Sequence, residues 1–144
     1  MISLWVIDTN VFVSAALTAD GICDRVLQHA VRGTFRIAWD NSLLAEYRDV
    51  LERRRFGLPP SAVKRLLSAL PPTGHRRGRP LQLELPDQDD LIFVAVACAT
   101  DERVIVTGNQ RHFPKASMHR LGVTILSPRQ ALERLEGMSA GRAI

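Results

Sequence analysis

The sequence predicts an α/β fold, with a central parallel sheet of four or five strands and helices on both faces. Two observations predict it. Short apolar runs at 4–7, 103–106 and 123–126 alternate with stretches whose apolar residues recur at helical spacing. Two of those runs turn abruptly polar at their carboxyl ends, into Asp8-Thr9-Asn10 and Thr107-Gly108-Asn109. An apolar strand with no alternation is buried on both faces, as strands of parallel sheets are. Ligands of open α/β sheets bind at the carboxyl ends of such strands.

Each element follows in order. Residues 4–7 form the first strand, placed centrally because it is strongly apolar. Residues 10–18 read as a helix through Val11, Phe12, Ala15 and Leu17, broken near Asp20-Gly21. Residues 22–31 resume with Ile22, Val26, Leu27, Ala30 and Val31, and Gly33 stops them. A short strand is expected at 35–38. Asp40 or Asn41 caps the next helix, whose inner side carries Leu43, Leu44, Tyr47, Val50 and Leu51; Gly57-Leu58-Pro59-Pro60 ends that segment. A helix is expected at 61–70. The Pro-, Gly- and Arg-rich stretch 71–80 reads as a mobile surface loop, and 81–85 as a short edge strand. Residues 89–99 form an apolar helix, 103–106 and 123–126 strands, and 128–135 a closing helix opened by Pro128. Residues 1–136 make one domain, and 137–144 a flexible tail.

Composition narrows the function classes. A chain of 144 residues with 46% apolar residues suits one globular domain with a real core. No stretch reaches the roughly 18 uncharged apolar residues of a membrane span, and the chain enters its first strand without the segments of a signal peptide. Cys23 and Cys98 sit among apolar neighbours on helices, as buried free thiols do. A cytoplasmic, reducing home is expected. The net charge of +4 is unevenly spread: residues 48–80 hold nine Arg or Lys against two acids, +7, leaving −3 elsewhere. A basic flank beside an acidic cleft suits a polyanion such as RNA, with Arg54, Arg55, Arg76, Arg77 and Arg79 as its candidate contacts. A solvated basic surface is the plain alternative.

The chemistry lies in the acids. Asp8 ends a buried strand, so its position is rigid. It could be only a helix cap, but a cap needs one residue and Asp8, Thr9 and Asn10 offer three. Thr9 and Asn10 are left to cap and to hydrogen-bond the carboxylate. Glu46 sits between Leu44 and Tyr47, at the margin of a buried face; spacing alone leaves it as open to solvent as to a site. Asp87-Gln88-Asp89-Asp90 opens the apolar helix, and acids belong in a first turn for dipole reasons, so at least one of the three is structural. Taking Ile92, Ala95, Val96 and Ala99 as the buried side puts Asp89 in phase with it and turns Asp90 away, which favours Asp89 as ligand. Asn109 follows a second buried strand and can hold a water or a phosphate, with Thr107 beside it. His112 is a candidate proton shuttle or an inert loop residue. Gathered carboxylates repel unless a cation binds between them, and a hard divalent cation is the natural counter-charge.

Four pieces in this order are similar to a known family: Asp8-Thr9-Asn10-Val11 after the first strand, Leu43-Leu44-Ala45-Glu46-Tyr47 on a helix, Pro86-Asp87-Gln88-Asp89-Asp90 before an Ala-rich helix, and Val106 through Pro114. The chain resembles the PIN-domain family from residue 2 to about 135, and within it the toxin-like branch of toxin–antitoxin pairs. The resemblance implies a three-layer α/β/α sandwich. It implies an endoribonuclease that uses Mg²⁺ or Mn²⁺ and leaves a 5′-phosphate and a 3′-hydroxyl. Its ligand positions fall on Asp8, Glu46 and Asp89. A fourth carboxylate, frequent in the family, falls on Asn109, and position 112, often acidic there, is His. The lost charge weakens metal binding or removes a second metal. The resemblance also implies a small antitoxin partner and a homodimer.

Other readings meet specific obstacles. An aspartyl-phosphate phosphatase needs a second Asp two positions after the first as its general acid, and Asn10 stands there. A phospho-acceptor signalling domain needs an acidic pair near the N-terminus, which is missing. A fold of the same family that binds RNA or protein without cutting stays open, because Asn109 removes a carboxylate.

Overall fold

A computed structural model of the chain describes residues 2–142. Four strands form one parallel sheet in the order β2-β1-β3-β4. They are β1 (Leu4–Ile7), β2 (Arg36–Ile37), β3 (Val104–Val106) and β4 (Thr124–Leu126). β1 is central, with Trp5 paired to Ile37 on one side and Ile7 to Val106 on the other. Helices α1 (Thr9–Leu17), α2 (Ile22–Arg32), α3 (Asn41–Leu51), α4 (Pro60–Leu67), α5 (Leu91–Ala97), α6 (Lys115–Leu121) and α7 (Pro128–Arg142) make the outer layers of the expected α/β/α sandwich. Trp5, Val6 and Ile7 have no exposed surface, which is why this strand carries no polar alternation.

The core fixes the end of the sheet that matters. Tyr47 of α3 is fully buried between Phe12 of α1 (ring centroids 4.5 Å apart) and Phe93 of α5 (6.3 Å). Its hydroxyl donates to the carbonyl of Ile7, the last residue before Asp8. The apolar enclosure pushes the Tyr47 phenol well up, so it stays a donor. One side chain thus ties α3, and with it Glu46, to the carboxyl end of β1.

Four expectations are corrected. The stretch 71–80 is a surface loop as expected, but one tied to the sheet edge and to α5 by hydrogen bonds. It is laced along the sheet edge: Trp39 N–H donates to Gly74 O (3.1 Å), Arg76 N–H to Trp39 O (2.8 Å), Arg79 N–H to Ala95 O (3.0 Å) and the Trp39 indole to Pro71 O (2.7 Å). Gly74 makes this possible, because a Cβ there would lie 2.1 Å from the Ile37 carbonyl oxygen. Residues 81–85 form no strand. The apolar helix is shorter than 89–99, since Gln88–Asp90 is a 3₁₀ turn and α5 begins at Leu91. The closing helix passes the expected stop at 135 and runs to Arg142, so 137–142 are helical where a loose tail was expected; isolated Gly residues such as Gly137 cost a helix only about 1 kcal/mol each. Residues 143 and 144 lie outside the described residues.

Candidate metal centre

Asp8 occupies the cap position of α1, so the cap and ligand readings fall on one residue. Its carboxylate is 5% exposed and has three donors. Oδ1 accepts from Thr9 N–H (2.7 Å); Oδ2 accepts from Thr107 Oγ1 (2.7 Å) and Asn10 Nδ2 (3.3 Å). Thr107 stands at the end of β3, so the carboxyl ends of the two strands are joined through Asp8. Thr107 Oγ1 also accepts from Asn109 N–H (3.0 Å), and Asn10 Oδ1 accepts from Gly108 N–H (3.1 Å). Asn10 therefore hydrogen-bonds the carboxylate as expected, and Thr107, which was not expected to, does so as well. Thr9 does so only through its backbone; its hydroxyl is buried with no hydrogen-bond partner among the described residues. Burial raises the Asp8 pKa, against the lowering effect of Thr107, Thr9, His112 and Asn10.

The turn opening α5 differs from the reading based on helical phase. The buried residues of α5 are Phe93, Val94, Val96 and Ala97, one position out of register with the expected set. Asp90, three before Phe93, therefore lies on the buried side, and Asp89 is exposed. Asp90 is 8% exposed, and burial, followed by the charge of Asp8, raises its pKa to about 6. Its Oδ2 lies 2.8 Å from His112 Nδ1, and His112 Nε2 lies 2.9 Å from Asn109 Nδ2. With the amide nitrogen facing Nε2, the imidazole accepts there and donates from Nδ1 to Asp90. Asp87 accepts from Asp89 N–H (3.0 Å) and so holds the turn.

Two groupings result. Donor atoms of Asp87, Asp90 and His112 lie within 4.8 Å of one another, a set that can hold a metal ion. Asp8 is outside that tightest group but close enough to raise the Asp90 pKa through its charge. Half-buried Glu46 is raised chiefly by burial and then by Asp49, with Asp89 and Asp8 adding to it. Asp8 thus acts on both Glu46 and Asp90, while Asp89 acts on Glu46 and His112 pairs with Asp90. All of these residues are candidates from the sequence, where helical phase favours Asp89 over Asp90. The signal that separates them is Phe93, the largest apolar side chain of the helix, which sets its buried face.

The donor set fits a divalent cation. Asp87 and Asp90 offer hard carboxylate oxygens and His112 an imidazole, and after burial the charge of Asp8 raises the pKa of Asp90 and adds to that of Glu46, where a positive charge would relieve them. Of the basic candidates, Arg54 and Arg55 are exposed on a 3₁₀ turn, with Arg55 stacked over Phe56 at 4.7 Å. Arg76 turns onto its own loop, donating to the carbonyls of Thr73 (3.1 Å) and His75 (2.8 Å). Arg77 and Arg79 are exposed. Cys23 and Cys98 are free thiols. Among the described residues no helix is long and apolar enough to cross a membrane.

The PIN domain family model matches residues 5–111, about three quarters of the chain. The matched segment contains Asp8, Glu46, the Asp87–Asp90 turn and Asn109, and ends one residue before His112. No curated protein and no solved structure matches the chain.

Proposed function

We propose, for a chain that belongs to the PIN domain family, a metal-dependent endoribonuclease that hydrolyses phosphodiester bonds of RNA. The observation that carries this reading is the cluster of Asp87, Asp90 and His112, whose donor atoms lie within 4.8 Å of one another, with Asp8 close enough that its charge adds to the burial that raises the pKa of Asp90 and of Glu46. Asp8, Asp90 and Glu46 would hold Mg²⁺ or Mn²⁺, with Asp87 and Asp89 at the margin. Such an ion, when bound, acts as a Lewis acid toward the scissile phosphate and lowers the pKa of water. The chain's own residues do the rest. Thr107 and Asn10 fix the Asp8 carboxylate. Asp90 and Asn109 hold the His112 ring from both nitrogens, so that it can pass a proton at the edge of the site. Asn109 supplies an amide for a phosphate oxygen.

The cellular role proposed with it is the toxin of a toxin–antitoxin pair in the cytoplasm, restrained by a small antitoxin and acting as a homodimer. The support is the family membership and two free thiols suited to a reducing compartment. Co-purification from the native host tests the partner, and a strictly monomeric protein with no small companion would count against it.

A second reading is favoured by one residue. Asn109 carries no charge where the family often has a carboxylate, which suits a domain that binds RNA or protein without cutting. The deciding assay incubates a mixed RNA pool with Mn²⁺, Mg²⁺ or EDTA, with Asp8→Ala purified in parallel. The nuclease reading expects cleavage by wild type with metal only and none by Asp8→Ala. Bound but uncut RNA, for wild type and Asn109→Asp alike, supports the binding-only reading.

A further inference from the structure

Beside the acidic centre, the pinned segment 74–80 builds a cavity of about 460 Å³ between the starts of α3 and α5. Asp40 and Ser42 of the α3 start, Ile92 and Ala95 of α5, and Arg77 and Arg79 of the segment line it. Two backbone bonds set the segment: Gly78 N–H donates to Asp40 Oδ2 (3.4 Å) and Arg79 N–H to Ala95 O (3.0 Å). Arg77 and Arg79 flank the anchored Gly78, and both line the cavity. A Cβ on Gly78 would meet both Ala95 Cβ and Asp40 Oδ2 at 3.2 Å, so the segment lies as close to α5 as a residue without a side chain allows.

The geometry points to a phosphate subsite: the two guanidiniums of Arg77 and Arg79, with the Ser42 hydroxyl, hold a backbone phosphodiester next to the one at the acidic centre. This rests on the nuclease reading for the identity of the polyanion. The charges support it. Arg77 and Arg79 are exposed and take part in none of the ion pairs among the described residues. Asp40, the one acid in the lining, has both oxygens turned to backbone, Oδ1 to Leu43 N–H (3.0 Å) and Oδ2 to Gly78 N–H. The cavity also opens on the amino end of an eleven-residue helix, the positive end of its dipole. Guanidinium forks match phosphate oxygens in geometry as well as charge. Position completes the argument. Ser42 stands four residues before Glu46 on the same face of α3, so the cavity adjoins Glu46 at about one helical turn, roughly 5–6 Å. The anchored segment then sets which linkage of a bound strand reaches the acids.

The test uses the full chain in EDTA, so that RNA is bound and not cut. A fluorescein-labelled single-stranded RNA is titrated across salt against wild type, Arg77→Ser/Arg79→Ser and Arg54→Ser/Arg55→Ser. The segment variant is expected to bind about tenfold more weakly at low salt, and its slope of log K against log salt to shrink by about 1.4, two contacts at about 0.7 each. The same RNA is then scanned with single neutral methylphosphonate linkages. One position weakens binding to wild type and to Arg54→Ser/Arg55→Ser but leaves Arg77→Ser/Arg79→Ser unaffected. Arg77→Lys/Arg79→Lys keeps the salt slope and loses part of the affinity, which keeps the test open if the serine variant misfolds. An unchanged slope, or a segment variant that answers the scan as wild type does, overturns the subsite. Cleavage in Mn²⁺ is scored separately: a positive scan without cleavage leaves the subsite standing and removes the nuclease reading, and cleavage with a negative scan does the reverse.

Discussion

Asp8 and Asp90 are nearly equally buried, at 5% and 8% exposure, yet they sit in opposite electrostatic circumstances. Asp8 ends a strand and receives a backbone N–H, a hydroxyl and an amide. Asp90 ends a 3₁₀ turn and has one side-chain partner, His112. Burial raises both, but Asp90 reaches about 6 under the added charge of Asp8. Neutral donors stabilise a buried carboxylate without cancelling its charge. Asp8 is therefore fixed in place by neutral donors, while Asp90 bears the repulsion that a cation would relieve.

The largest effect that can break this contrast is on activity. Asp8→Ala should abolish cleavage in Mn²⁺, and Asp90→Asn should come close to doing so, whereas Asp89→Asn should retain measurable activity. Comparable losses for Asp89→Asn and Asp90→Asn, read as initial rates on one RNA, would return the ligand role to Asp89.

The next effect is on stability without metal. A carboxyl whose folded pKa is raised stabilises the fold below its unfolded pKa and loses that contribution as pH rises through the folded value. For Asp90 the window runs from about 4 to about 6. The metal-free protein should lose roughly 3 kcal/mol across it from this group, at 1.36 kcal/mol per unit. Asp90→Asn should flatten that slope and be the more stable protein at neutral pH in EDTA. Denaturant melts at a series of pH values check it; a slope that persists in Asp90→Asn assigns the titration elsewhere.

Smaller still is the effect of Thr107→Val, which removes one donor from Asp8 and keeps the shape. Metal affinity should fall about 10- to 100-fold with the fold intact, measured by calorimetric titration with Mn²⁺. Asn109→Asp is expected to have the smallest effect, a gain in activity confined to limiting metal, because the restored charge favours a dication. Unchanged activity at every metal concentration would place position 109 outside the centre.

The same contrast explains what could be read from the sequence. Asp8 was legible because the run from Leu4 to Ile7 has a single interpretation, and a residue at its carboxyl end has no freedom to be elsewhere. Thr107 and Asn109 were legible for the same reason. The Asp87–Asp90 turn was not, because three acids within four residues differ only by rotation, and a 3₁₀ turn followed by a helix phased on Phe93 shifts the buried face by one residue. The segment 71–80 failed differently. Its prolines, glycines and arginines have loop composition, but its order comes from Trp39, Asp40 and Ala95, which are distant in sequence. Local composition carries no record of such partners.

The central claim is that the acids at the carboxyl ends of β1 and β3 share a divalent cation. Thermal melting in EDTA and in saturating Mn²⁺ tests it most directly, with wild type beside Asp8→Asn/Asp90→Asn. A ligand at about 100 times its Kd adds about 2.7 kcal/mol, a rise in Tm on the order of 8 °C for a domain of this size. Wild type should show that rise and the double variant should show none; an equal rise in both would contradict the shared site.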